Sequence, residues 1–370
     1  MSRLPERADA VVIGGGVIGT SIACQLAEAG VGTVLLERGA LGSGSSGTTA
    51  GVVRTYFPGN ALISGLAVRS LAAYQAFTER TGIDLGLRRI GLLVLFTDEE
   101  QVREFRRTEA AQRAAGVDVE LVGPAEAARL NPLVDESAVL GAAWAPETYT
   151  CDPAGIVRGY AAAARRAGAV LRTETPVTGI GPEGRVDTPA GGVHAGTVVC
   201  AAGPWAEAVA ALADVRVPVT PHPVDMLLAD APGGAPRDAL PMTMHPSSLR
   251  IRSWGDRVLV GMGRPAPGET RQDWRKRVSH HLGTTFPALA GSTLDHGWSG
   301  NLDVTPDGMA FIGHDRSRRF LYAAGFSGQG LCQAPAAGEI IRNLVLGEES
   351  WTDTTALSTA RHLGDPAGTG

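Results

Sequence analysis

The residues best placed to do chemistry stand near the start of the chain. Gly14-Gly-Gly16-Val-Ile-Gly19 lies between a short apolar run, Asp9–Ile13, and a stretch of helical spacing over residues 17–30. Gly14 permits a tight turn, Gly16 lets the backbone approach a pyrophosphate, and Gly19 lets the helix pack close to the strand. The helix N-terminus, opened by Val17 and Ile18, offers free N–H groups and a positive dipole end to phosphates. Glu37 follows Gly19 by eighteen residues, at the end of a second apolar run that begins at Thr33. A carboxylate there accepts hydrogen bonds from an adenosine ribose. Together these features predict a βαβ unit that binds a dinucleotide. FAD and NAD folds share the motif, so it does not choose between them.

The next segment narrows the choice. Gly42-Ser-Gly-Ser45-Ser46-Gly-Thr48-Thr49-Ala50-Gly51 runs into Val-Val-Arg54 and then Tyr56-Phe-Pro-Gly59. This stretch resembles the loop after the second strand in the D-amino acid oxidase, glycine oxidase and sarcosine oxidase family. It looks most like the sarcosine oxidase β-subunit and dimethylglycine dehydrogenase branch. Three later segments resemble the same family in the same order. They are Thr175-Pro-Val177; Val198-Val-Cys-Ala-Ala202-Gly203-Pro-Trp205; and Thr305-Pro-Asp-Gly308 with Ile312-Gly313 and Ala324-Gly325-Phe-Ser-Gly328-Gln329-Gly330. The resemblance implies bound FAD. Its cofactor residues would be Gly14, Gly16, Val17, Ile18, Gly19, Glu37, Arg38, Ser45, Ser46, Thr48, Thr49, Ala50, Gly51, Val177, Ala202, Gly203, Trp205, Gly325, Gly328, Gln329 and Gly330. A C-terminal helix beginning near Ala334 would turn its positive end toward the flavin.

Departures from the family pattern refine the expectation. Relatives that attach flavin covalently use a cysteine six residues before the proline of Thr-Pro-Asp-Gly, or a histidine in the first loop. Gly300 takes the first place here and the loop has no histidine, so non-covalent FAD is expected. Leu302 stands where D-amino acid and glycine oxidases carry a carboxylate-binding arginine. Cys332 and Leu259 stand where monomeric sarcosine oxidase has lysines, the second of which activates oxygen. Slow use of oxygen is therefore expected, and Cys332 reads as a small packed residue.

These groups need a scaffold. The expected elements are strands at 9–13 and 33–37, a helix from Pro58 to about Gly82, strands within 83–96 and a charged helix over 98–115. A helix over about 154–167, capped by Asp152, and strands at 169–173 and 193–200 follow. Between 216 and 264 runs such as Leu249-Arg-Ile-Arg-Ser and Val258-Leu-Val alternate, which marks antiparallel strands with one covered face. A polar helix near 269–281, a strand–glycine loop–helix unit at 320–346 and a loose tail at 352–370 complete the chain. The fold class is α/β, α+β overall: a Rossmann-like FAD-binding domain with an inserted antiparallel-sheet substrate domain, glycine oxidase-like. Residues 1–82, 140–215 and 295–370 are assigned to the first, and 83–139 and 216–294 to the second.

Composition sets limits. The 370 residues are 44% hydrophobic and 19% charged, which fits roughly two packed domains. A net charge of −5 gives no electrostatic reason to bind nucleic acid. The apolar run at the start is broken by glycines too soon for a membrane span. Four cysteines without paired spacing suit a reducing cytoplasm and give no metal site.

Four side chains are candidates for the reaction. Arg54 matches an arginine that contacts substrate carboxylate in sarcosine oxidases. Arg250 stands where glycine oxidase has a substrate-facing tyrosine, and Arg252, two residues on, projects from the same face of the strand. His222 and His245 lie in the inserted sheet, which covers the flavin in relatives; His296 and His314 carry less signal. The resemblance implies oxidation of the C–N bond of a small amine or amino acid by hydride transfer to flavin N5, giving an imine. A secondary or N-methyl amino acid with an anionic group would be the substrate, with oxygen or another carrier as electron acceptor. Two alternatives stay open: a 2-hydroxy-acid dehydrogenase, which needs a base for the hydroxyl proton, and a flavin-carrying subunit of a larger complex. An oligomer is compatible with either.

Overall fold

The N-terminal apolar runs build a parallel sheet in the computed structural model, which describes residues 4–230, 240–263, 265–266, 268–317 and 319–363. β1 (Arg7–Ile13) leads into α1 (Val17–Glu28) and β2 (Thr33–Leu36). The two strands run parallel, with Val11 opposite Val34 and Ile13 opposite Leu36. Ala10 to Ile13 and all of β2 are buried, the pattern of strands covered on both faces. β3 (Val52–Arg54) follows the glycine-serine loop. α2 (Ala61–Thr81) starts where the Asn60 side chain accepts from the Ile63 N–H and stops at Gly82, whose φ of 72° suits only glycine comfortably. α3 (Pro153–Arg166) packs on α1. Asp152 precedes α3 as expected, but its carboxylate makes no cap bond and instead pairs with Arg158 at 3.0 Å. β4 (Gly191–Cys200) returns parallel to β1, with Cys200 opposite Ile13.

The second sheet contains the runs at 249–253 and 258–260 whose alternation was legible. β5 (Thr220–Asp230), β6 (Leu249–Trp254) and β7 (Arg257–Met262) are followed by α4 (Arg271–Thr285) and β8 (Leu294–Val304). The order is β8-β5-β7-β6, continuing through Met242–Met244, Leu92–Phe96, Gly141–Ala145 and Glu120–Val122. All neighbours are antiparallel except Met242–Met244 against Leu92–Phe96. One face buries Leu249, Ile251, Val258 and Val260 against Trp274, Val278 and Leu282 of α4. Two segments fall differently from the expected division: Gly141–Ala145 and β8 hydrogen-bond into this sheet, although boundaries at 140 and 295 place them in the cofactor part. β8 runs straight into the Thr305-Pro-Asp-Gly motif, but its partner is set by the register along β5, from Thr220 opposite Val304 to Ala229 opposite Leu294.

The chain then returns to the first sheet. β9 (Phe320–Ala324) lies parallel to β4, and α5 (Gly330–Leu346) follows the glycine loop. α5 starts at Gly330, not near Ala334, so Pro335 is interior to it. Proline lacks an N–H and leaves the carbonyl four residues earlier without its helical donor. That carbonyl belongs to Leu331, and the Tyr74 hydroxyl donates to it at 2.9 Å. The Ala336 N–H is taken by Ser70 Oγ at 3.1 Å. Both partners sit on α2, one turn apart, so α2 completes the hydrogen bonding that the proline disrupts. The described part of the expected loose tail is packed: Leu357 is buried, and Arg361 pairs with Asp307 at 2.7 Å. The remainder, 364–370, lies outside the described residues.

Candidate cofactor and substrate site

A cavity of about 720 Å³ opens between the ends of the first-sheet strands and the inner face of the second sheet. This is the size of a site for a large ligand. Its floor begins with the first glycine turn. Gly14 has φ 115°, and a Cβ there would lie 2.3 Å from Ala201 O. A Cβ on Gly19 would lie 1.9 Å from Gly14 O, so α1 can approach the turn only without one. The Ser46 hydroxyl accepts from the Val17 N–H at 3.0 Å, which ties the serine-rich loop to the start of α1. Glu37 is oriented by two backbone donors, the Gly15 N–H at 2.6 Å and the Gly39 N–H at 2.8 Å. Arg38 lies 3.7 Å above the Trp205 ring and forms a cationic wall.

Most of the residues expected from the sequence meet in this cavity. Gly14, Gly16, Val17, Ile18, Glu37, Arg38, Ser45, Ser46, Thr48, Thr49 and Ala50 line it from the N-terminal segment. Val177, Ala202, Gly203, Trp205, Gly328, Gln329 and Gly330 line it from the later ones. Val177 sits in a loop rather than on a strand, held where the Thr175 N–H donates to Glu37 O at 2.8 Å. Three expected residues stand behind the lining. Gly19 is a packing contact, Gly51 turns the chain with φ 65°, and Gly325 gives its N–H to the Asp303 carboxylate at 2.9 Å. The chain also brings in Gly15, Asp225, Met226, Asn301 and Asp303, which the motifs did not single out. Asp303 had a signal: an acid at the apolar end of a strand, two residues before Thr305-Pro-Asp-Gly308.

The reaction candidates divide. Arg54, Arg250 and His222 line the cavity. His245 does not; its Nδ1 lies 2.9 Å from Ser247 Oγ in the turn before β6, where burial and the His281 charge lower its pKa. The side-chain period of two decides this: Arg250 and Arg252 share the cavity face of β6, while Leu249 and Ile251 enter the core behind it. Arg250 stands opposite Met244 and Gly261, and Arg252 opposite Leu259.

Electrostatics separates the three arginines. Arg252 is buried and gives Nε and one terminal amino group to Ala50 O and the other to Ser253 O, so it fastens the roof to the cofactor loop. Burial pulls its pKa down to about 10. Arg54 gives one N–H to Tyr56 O at 2.6 Å and stacks on Phe57 at 3.8 Å. Its pKa also falls to about 10: burial lowers it most, the Cys332 thiol opposes, and the Arg250 charge lowers it further. Arg250 is reached by solvent through the cavity, yet surrounding protein still depresses its pKa by desolvation. All three remain cations at neutral pH.

The donors fit FAD. A carboxylate, Glu37, follows β2 where it could hold a ribose, a glycine turn and serine loop meet at the start of α1, and a second glycine loop faces the roof. Among the described residues there is no cluster able to hold a metal, and no helix long and apolar enough to cross a membrane. The chain is 29% identical over 379 residues to glycine oxidase of Geobacillus kaustophilus, covering 98% of this chain and 99% of the relative. It is 30% identical to 4-methylaminobutanoate oxidase (formaldehyde-forming) of Paenarthrobacter nicotinovorans, covering 98% of this chain but 46% of the relative. L-proline dehydrogenase from P. horikoshii superposes with a TM-score of 0.85 at 29% identity, over 94% of this chain and 95% of that one. The family model for FAD-dependent oxidoreductases, DAO, matches residues 9–344. This chain belongs to that family and is an FAD-dependent oxidoreductase.

Proposed function

We propose that this enzyme oxidises the C–N bond of a small amine or amino acid that carries an acid group, a secondary or N-methyl amino acid above all. The observation that carries the reading is the pair Arg54 and Arg250: both face the cavity and neither has a carboxylate partner among the described residues. Desolvated guanidiniums without counter-ions favour an anionic ligand. The names of relatives point the same way, since glycine oxidase, sarcosine dehydrogenase and dimethylglycine dehydrogenase all act on amino acids. Bound FAD supplies the two-electron oxidation of the C–H next to nitrogen. The chain's own part is to hold the acid group with the arginines and to surround the reacting carbon with Met226, Leu259 and Phe326, which exclude water.

The test is anaerobic bleaching of the bound flavin by N-methyl amino acids, amino acids, neutral amines and 2-hydroxy acids. Acidic amines should bleach it fastest. Arg54→Gln and Arg250→Gln should each lower kcat/KM roughly 10- to 150-fold, the worth of one charge-assisted contact, with FAD content unchanged. Neutral amines reacting best would overturn the reading. Among the described residues His222 is the one histidine on the lining, so a 2-hydroxy acid is the second reading. Preferential bleaching by hydroxy acids, lost in His222→Gln, would select it.

A further inference from the structure

Resting on the amine-oxidising reading, we infer that Arg54 and Arg250 are separate anion anchors, and that the substrate is an amine bearing two acid groups. The argument is an accounting of charge. Among the described residues, four arginines line the cavity: Arg38, Arg54, Arg250 and Arg252. Arg38 stacks on Trp205 beside the cofactor turn, and Arg252 is spent on two carbonyls. Among the described residues, three carboxylates line it, and each is already engaged. Glu37 holds the Gly15 and Gly39 N–H groups, Asp303 holds those of Gly325 and Phe326, and Asp225 takes Arg271 and the Ser299 hydroxyl. None of them reaches Arg54 or Arg250.

The two arginines without such a fixed role stand on different walls. Arg54 ends β3, in the small sheet with Thr148–Thr150, and its backbone N–H meets Cys332 Sγ at 3.4 Å at the start of α5. Arg250 projects from the start of β6 in the roof. Arg54 keeps most of its donor fork after its single bond to Tyr56, and Arg250 makes no hydrogen bond or ion pair to any described residue. They are near enough for the charge of one to disfavour the charge of the other. A single carboxylate would balance one of two neighbouring, mutually repelling cations. Two acid groups on one ligand balance both and let each guanidinium bind bidentately. The anionic pyrophosphate does not serve here, because its donors are the first glycine turn and the serine loop, on other elements.

The test uses the FAD-loaded enzyme and two readouts. In the first, perturbation of the flavin spectrum gives Kd for malonate, succinate and glutarate against propionate, butyrate and valerate, paired by length. For at least one length the diacid should bind roughly 10- to 150-fold tighter. Arg250→Gln should bring that ratio to about one. Equal binding within every pair, or an Arg250→Gln loss shared equally by diacid and monoacid, overturns the inference. The wild-type comparison stands even where the variant fails to fold. In the second, anaerobic bleaching compares N-methylaspartate and N-methylglutamate with N-methylalanine. Faster bleaching by the diacids is expected. If only the monoacid amine bleaches the flavin, the amine reading holds and the two-anchor inference fails. If diacids bind tightly but no amine bleaches it, the amine reading fails instead.

Discussion

Gly300 on β8 presses so close to Thr48 that a Cβ there would lie 2.3 Å from Thr48 Oγ1 and 2.9 Å from Thr48 Cβ. The side chain that would attach flavin from this position has no space, and the facing loop is one that lines the cofactor cavity. Trp298, two residues earlier, fixes the same loop by donating from Nε1 to Thr48 O at 2.8 Å. FAD is therefore expected to leave entirely with the supernatant when the yellow protein is precipitated with acid. Flavin retained in the pellet refutes this. Gly300→Cys should lower FAD content by displacing the loop, without creating a covalent adduct.

The Tyr74–Leu331 and Ser70–Ala336 bonds make a second prediction. Tyr74→Phe removes the side-chain donor to the Leu331 carbonyl, and Ser70→Ala removes the side-chain acceptor of the Ala336 N–H, in a buried interface. Each should cost about 1–3 kcal/mol in denaturant unfolding. Pro335→Ala supplies the missing helical N–H, so Tyr74→Phe should cost much less in that background. Equal costs in both backgrounds would show that the hydroxyl does not compensate for the proline.

Oxygen reactivity is the third. The chain has a single lysine, Lys276, which sits on α4 paired with Asp273 at 3.1 Å. Position 259 presents a buried leucine to the cavity instead of a cation. A fixed positive charge stabilises developing superoxide; Arg54 and Arg250 would be neutralised by substrate or product, and Arg252 is turned to the Ala50 and Ser253 carbonyls. Reduced enzyme mixed with air-saturated buffer should reoxidise slowly in the presence of product. Rapid reoxidation in the stopped flow rules this out, and an artificial dye should be the better acceptor.

What was legible in the sequence is what backbone geometry or side-chain period enforces. Gly14 and Gly19 are demanded by contacts a Cβ would violate, so the motif located this tight turn without the fold. The alternation of Leu249-Arg-Ile-Arg252 put both arginines on one face, and packing of Leu249 and Ile251 fixed which face. Long-range pairing was not legible. β8 reads with the motif that follows it but bonds to β5, and Asp303 becomes a cavity group only through that register and the folding-back of the glycine loop. His245 and His222 look alike in sequence, yet a turn directs one to Ser247 while a strand directs the other to the cavity. The helix expected to begin near Ala334 starts at Gly330, because the remedy for an interior Pro335 comes from α2, far away in the chain.

Asp303 gives the last prediction. Its carboxyl is buried, and desolvation raises its pKa to about 6 against the N–H donors of Gly325 and Phe326, which stabilise the anion. An unfolded aspartate titrates near 3.9. Between those values the folded chain binds the proton that the unfolded chain has released, so stability falls as pH rises through this window. The contribution is fully present below about pH 4 and gone above about pH 6; a shift of about two units corresponds to about 3 kcal/mol. Asp303→Asn keeps an oxygen for the two N–H groups and removes the titration. Unfolding of wild type and variant should be followed at one fixed FAD concentration, since cofactor binding itself adds stability. Relative to the variant, the wild type should lose about 3 kcal/mol between pH 4 and pH 7. Parallel curves would mean that Asp303 stays ionised throughout and that its N–H donors outweigh its burial.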